Sequence, residues 1–125
     1  AQDQHVSARR FMLDQLAAGA QCDAFRCAEI LQKVPISNVL GWLQRWLYDL
    51  LAQYLTHRLR YYPAYTEALI RCVKYLNTQQ LTRYIQYVNA QRAVEHHPLN
   101  ARLMFEVIFS EYRMLFPVFA EFQKT

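Results

Sequence analysis

A chain of 125 residues is sized for one domain, long enough to bury roughly two-thirds of its unfolded surface and hold a core without staples. Hydrophobic residues make up 54% and charged residues 19%, which excludes disorder, and two glycines with four prolines are too few for the turns of an all-β domain. The net charge of +4, with a pI near 9.1, favours nucleic acid or an acidic partner, yet Arg9, Arg10, Arg58, Arg60, Arg71, Lys74, Arg83, Arg92, Arg102 and Arg113 are scattered, with no dense basic arm.

The opening AQDQHVSARR has neither a methionine nor a signal-type apolar stretch, and reads as the start of a piece cut from a longer protein or of a processed one. A first helix is expected over about 5–19, with Val6, Leu13, Leu16 and Ala17 at helical spacing and Gly19 as its stop. A second, about 23–33, has Asp23 as N-cap and Phe25, Cys27, Ala28 and Leu31 as its apolar side, and Pro35 then interrupts the chain. The third, ISNVLGWLQRWLYDLLAQYLTHRL over about 36–59, is the long central helix. Its broad face carries Ile36, Val39, Leu40, Leu43, Trp46, Leu47, Leu50, Leu51 and Tyr54, opposite a polar side of Asn38, Arg45, Asp49 and Thr56. Trp42, Tyr48, Leu55 and Leu59 fall outside that face, so this helix is expected to be covered on more than one side.

RYYPAY (60–65) reads as a turn, because Pro63 disfavours helix at Tyr62. A fourth helix over about 65–76 turns Leu69, Cys72, Val73 and Leu76 inward. A fifth starts at NTQQL, with Asn77 as N-cap and Gln80 three places on in a capping-box pattern, and runs to about Glu95 with Leu81, Tyr84, Ile85 and Val88 inward. The sixth begins at Asn100, placed as its N-cap, and runs to about Phe116, where Pro117 ends or kinks it. The expected fold is therefore a single all-α bundle of about five to six helices, without internal repeat or dividing linker. No run of about 18 uninterrupted apolar residues is available to span a membrane. Three cysteines in a chain that needs no disulfides point to a reducing cytoplasm.

Catalytic and metal chemistry find little support in these residues. Glu95-His96-His97 packs three potential ligands together, but adjacent histidines on a helix point about 100° apart, and zinc usually takes helical pairs at i and i+4. Ending one helix in a polar turn is the simpler role. Cys22, Cys27 and Cys72 form no CxxC pair, and the latter two fall on apolar faces, where cysteine serves as a small hydrophobe. Glu106 shares a polar stripe with Arg102, Ser110 and Arg113, and neither glycine belongs to a phosphate loop. The expectation is a non-enzyme without cofactor, metal or small-molecule ligand.

Surplus apolar surface is the stronger signal. The last helix carries Phe105, Phe109, Tyr112 and Phe116 at i, i+4, i+7 and i+11 beside a second stripe of Met104, Val107, Ile108, Met114 and Leu115, and the fifth has a weaker face at Arg83, Tyr87, Ala90 and Val94. Two helices with two apolar faces each are hard to hide in one small bundle, and large apolar patches mark partner surfaces. The candidate subunit interface is Phe105, Phe109, Tyr112 and Phe116, then Tyr87 and Arg83, and Trp42 with Arg45. The competing reading is a helical nucleic-acid-binding domain, in which Tyr61, Tyr62 and Tyr65 beside Arg58 and Arg60 form a stacking patch.

Residues 76–112, LNTQQLTRYIQYVNAQRAVEHHPLNARLMFEVIFSEY, resemble the C-terminal end of bacterial DNA polymerase III delta-prime subunits. There a helix with an Arg/Ala-rich end leads through an HPLN-x-RL turn, here residues 97–103, into a Leu-rich final helix. VLGWLQRWLYDLL (39–51) resembles that domain's central helix, so the likeness in helix order covers nearly the whole chain. Ala101 stands where many relatives have proline, and Met104, Phe105, Ile108 and Phe109 where they have leucine, which makes this last helix bulkier. The resemblance implies a collar domain of the clamp loader, packed with gamma/tau and delta subunits and meeting the sliding clamp and primed DNA only through the full complex. The family's N-terminal AAA+ domains are not in these residues.

Overall fold

A computed structural model describes residues 5–94 and 100–117. Among them the chain forms six α-helices and no strand: α1 (Val6–Ala17), α2 (Ala24–Leu31), α3 (Ile36–Thr56), α4 (Thr66–Tyr75), α5 (Thr78–Ala93) and α6 (Ala101–Arg113), with short 3₁₀ turns at Gly19–Gln21 and Pro63–Tyr65. This is the expected all-α bundle. No helix among the described residues is long and apolar enough to cross a membrane.

Local chemistry sets most of the boundaries. Past the end of α1, Gly19 takes the left-handed φ of 61°, which costs glycine little. A Cβ there would also sit 3.3 Å from the Phe116 ring, so backbone and packing both call for glycine. Asp23 caps α2 by accepting the Arg26 N–H at 3.0 Å. Asn77 caps α5 the same way, accepting the Gln80 N–H at 3.0 Å. Its own N–H donates to the Leu115 carbonyl at 2.8 Å, so a contact from beyond α6 occupies the donor that a capping box would satisfy from Gln80.

Asn100 departs from its expected role: it precedes α6 but makes no side-chain cap bond. Asp23 and Asn77 are extended, at ψ 95° and 112°, whereas Asn100 has ψ 1°, outside the usual extended N-cap geometry. α3 is also shorter than expected. It stops at Thr56, where His57 turns left-handed (φ 61°) and closes its N–H on the Ala52 and Gln53 carbonyls.

The packing is centred on α3, which lies against α4 and α5, while α6 packs most extensively on α2. The buried side of α2 is mostly small, with Ala24, Cys27 and Ala28 beside Leu31, so its backbone can lie close to the aromatic side of α6. Phe25, expected inward, is exposed. At the centre, the Trp46 indole N–H donates to the Tyr112 hydroxyl (3.1 Å), which in turn donates to the Leu16 carbonyl (2.7 Å). The Cys72 thiol and Arg71 also reach carbonyls at the end of α1, those of Leu16 and Ala17. Side chains of two helices, α4 and α6, thereby satisfy the Leu16 and Ala17 carbonyls at the end of α1.

Candidate assembly surface and the aromatic turn

Phe105, Phe109, Tyr112 and Phe116 are not a surface. All four are buried in the chain's own core, with successive edge contacts from Phe105 to Phe109 and from Tyr112 to Phe116. Trp42 is buried too, its carbonyl accepting the Tyr62 hydroxyl at 3.3 Å. The physical reason is area. Fully burying a Phe stabilises by about 1.5–3 kcal/mol, so four aromatics on one side of α6 direct that side inward.

The second stripe of α6 supplies the surface. Ile108 and Leu115 join the core, but Val107 is 44% exposed and Met114 74%, and Leu103, one turn before Val107, is 64% exposed. With Glu111 these residues recur at i, i+4, i+8 and i+11, one continuous outward strip. Beside it lies a groove of about 410 Å³ between α5 and α6, walled by Gln80, Arg83 and Tyr87 on one side and Val107, Glu111 and Met114 on the other. Its floor is pinned where the Tyr84 hydroxyl donates to the Ile108 carbonyl at 2.7 Å. Arg83 is exposed and Tyr87 half-buried, so these two expected interface residues stand beside the strip. Burial, and then the Glu111 carboxylate, push the Tyr87 phenol up from its ordinary range. Leu103 had been read only as part of a turn motif. Counting from Val107 and Met114 at helical spacing would have found it.

The polar side assigned to α3 fails at Asp49, which is completely buried. Its carboxylate accepts the backbone N–H groups of Arg60 (2.9 Å), Tyr61 (3.0 Å) and Tyr62 (2.7 Å), folding the chain back onto the helix it has just left. A lone carboxylate in an apolar helix, followed 11 residues later by a turn, was the available clue. The tyrosines of that turn are largely anchored. Tyr62 reaches Trp42, and Tyr65 donates to Asp14 at 2.8 Å while meeting the Trp46 ring edge-on. Burial raises the Tyr62 phenol, opposed by the nearby Arg45 and Arg9 guanidinium groups. Burial and the Asp14 bond push Tyr65 to about 12.

Arg45 is exposed on α3, next to a polar clasp between helices: Gln44 donates to Asn89 at 2.6 Å, and Arg92 donates to Gln44. Gly41 leaves room for the Arg92 guanidinium, which a Cβ would meet at 3.4 Å. The three cysteines are buried free thiols. A thiol hydrogen bond with Cys22, together with burial, pushes Cys27 upward, and burial raises Cys72 to about 11, so both stay protonated. Among the described residues no three His, Cys, Asp or Glu side chains converge as metal ligands. Glu95-His96-His97 lies outside the described residues.

No family model, curated protein or solved structure matches this chain.

Proposed function

We propose that this chain is a non-catalytic assembly domain, a helical scaffold whose α5/α6 side docks on neighbouring subunits. The observation that carries the reading is the outward strip Leu103–Val107–Met114 beside the Arg83/Tyr87 groove. It places apolar side chains, an aromatic and an arginine around one concavity, the composition that dominates subunit interfaces. The sequence likeness at 97–103 and 39–51 supplies the more specific form: a clamp-loader collar domain of the delta-prime type, working in the bacterial cytoplasm beside gamma/tau and delta. A ring member needs a contact on each flank. The exposed Tyr54 and Leu55 of α3 supply apolar surface for a second flank.

The test is reconstitution with gamma/tau and delta, followed by size-exclusion chromatography. The unmutated chain is expected to co-elute with them. Met114→Asp and Leu103→Asp, both at exposed positions of the strip, are expected to release it while leaving its own unfolding midpoint within error, whereas Phe25→Asp, an exposed apolar side chain on α2, is expected to stay bound. Failure of the unmutated chain to enter the complex sinks the collar reading. Retention of both Asp variants sinks the choice of surface.

A further inference from the structure

Two grooves meet at one exposed tyrosine. The first, about 590 Å³, is lined by Arg9 and Arg10 of α1 together with Tyr61, Tyr62 and Tyr65 of the aromatic turn. The second, about 420 Å³, is lined by Arg45 and Tyr48 of α3, Arg92 of α5 and again Tyr61. Tyr61 is thus a ridge with two arginines on each side. No Asp or Glu lines either groove, in contrast to the α5/α6 groove with its Glu111. The ion pairs among the described residues are Arg26–Glu29 and Arg102–Glu106, so none of these four guanidinium groups is ion-paired with a described carboxylate. Of the carboxylates on this side, Asp14 accepts the Tyr65 hydroxyl beside the first groove and Asp49 accepts three backbone amides.

The ridge is also aromatic and held in position. Tyr61 is 37% exposed and Tyr48 47%, their rings edge to face at 5.4 Å, with the Arg60 guanidinium 5.4 Å from the Tyr61 ring. Asp49 fixes the backbone beneath them through the Arg60, Tyr61 and Tyr62 N–H groups. Arginines that track a phosphate backbone and an open ring on which a base stacks are the two elements of single-strand recognition. An acidic peptide would use the arginines and leave the rings idle, and a duplex keeps its base faces stacked inside.

We propose that the Tyr61 ridge and its two flanking arginine grooves bind single-stranded nucleic acid, with phosphates on Arg9, Arg10, Arg45 and Arg92 and a base against Tyr61. This surface lies on α1, α3, α5 and the turn and does not depend on the assembly reading, since it is assayed on the chain alone.

The experiment is fluorescence anisotropy of labelled oligothymidylate, about 20 nucleotides long, titrated with the purified chain over a range of salt concentrations. Binding is expected at low salt, with log K falling against log salt at a slope near −3, about 0.7 for each of four phosphate contacts. Tyr61→Ala weakens it roughly tenfold while Tyr61→Phe retains it, because the ring and not the hydroxyl is used. Arg9→Ala with Arg10→Ala flattens the slope by about 1.4. Circular dichroism and urea midpoints keep the variants comparable, both sites being at the surface. The proposal is overturned by absence of binding at low salt, by unchanged affinity in Tyr61→Ala, or by equal affinity for poly-glutamate or for a duplex of the same length.

Discussion

Asp49 offers the sharpest test of the energetic reasoning. Its two oxygens serve three backbone N–H groups from the loop that follows α3, none of which donates to a backbone carbonyl among the described residues. A hydrogen bond to a charged group contributes about 1.5–3 kcal/mol. The loop is only part-buried and water can reach it, so the low end applies, and three such bonds amount to about 4.5 kcal/mol. Replacing Asp by Ala in a helix interior returns about 0.6 kcal/mol of propensity. Asp49→Ala is therefore expected to destabilise by about 4 kcal/mol, a large part of the roughly 6–19 kcal/mol that a domain of this size possesses. Asp49→Asn is milder, about 2 kcal/mol, because an amide that turns its oxygen toward Tyr61 and Tyr62 abandons only the Arg60 N–H. Urea unfolding followed by tryptophan fluorescence measures both, with Asp14→Ala as an exposed control expected near 0.5 kcal/mol. A loss below about 1 kcal/mol in Asp49→Ala, with an unchanged denaturant slope, would refute the idea that this carboxylate organises the turn.

Tyr112→Phe leaves the buried Trp46 indole N–H and the Leu16 carbonyl without their shared hydroxyl, and is expected to cost about 2 kcal/mol in urea melts. Gly19→Ala combines a left-handed backbone with a 3.3 Å approach to the Phe116 ring and should lower stability by about 2 kcal/mol by the same assay. Cys72 is an acid whose folded pKa, about 11, lies above its ordinary 9.0, so the native state holds the proton longer. Its contribution is complete below pH 9 and is lost as the pH rises through about 11, so the urea midpoint should be level from neutral pH to about 8.5 and fall beyond it. At pH 8 all three buried thiols should resist a disulfide-exchange reagent until urea unfolds the chain. Prompt reaction of the native protein would contradict their burial.

Helix ends were the most legible part of the chain, because each carries its own local chemistry: Gly19 with its positive φ, Asp23 and Asn77 with their accepting side chains, Pro35 and Pro63 with their restricted neighbours. Asn100 shows the limit of that logic, since the residue type was suited to capping but its backbone was not. Periodicity grouped the aromatic column of α6 but gives only relative angles around the helix, and the choice of the inward side depends on what the other helices offer. The small side of α2 accepts bulky rings, so the aromatic column went inside together with Ile108 and Leu115, and only Val107 and Met114 of the aliphatic stripe stayed well exposed. Asp49 was illegible for a related reason. A single carboxylate on a helix reads as solvated until the backbone that needs it is folded over it.

The hydrogen bond from Tyr112 to the Leu16 carbonyl joins residues 96 positions apart, and α2 finds its main packing partner in α6. On the ribosome, chain emerges at about 5–20 residues per second. α2 is therefore out for roughly four to sixteen seconds before the helix that covers it exists, with Cys27, Ala28 and Leu31 unprotected meanwhile. α3, α4 and α5 can pair among themselves as soon as they are made. The bundle thus closes on its last helix, and nascent α2 is the part that a holding chaperone would be expected to shield.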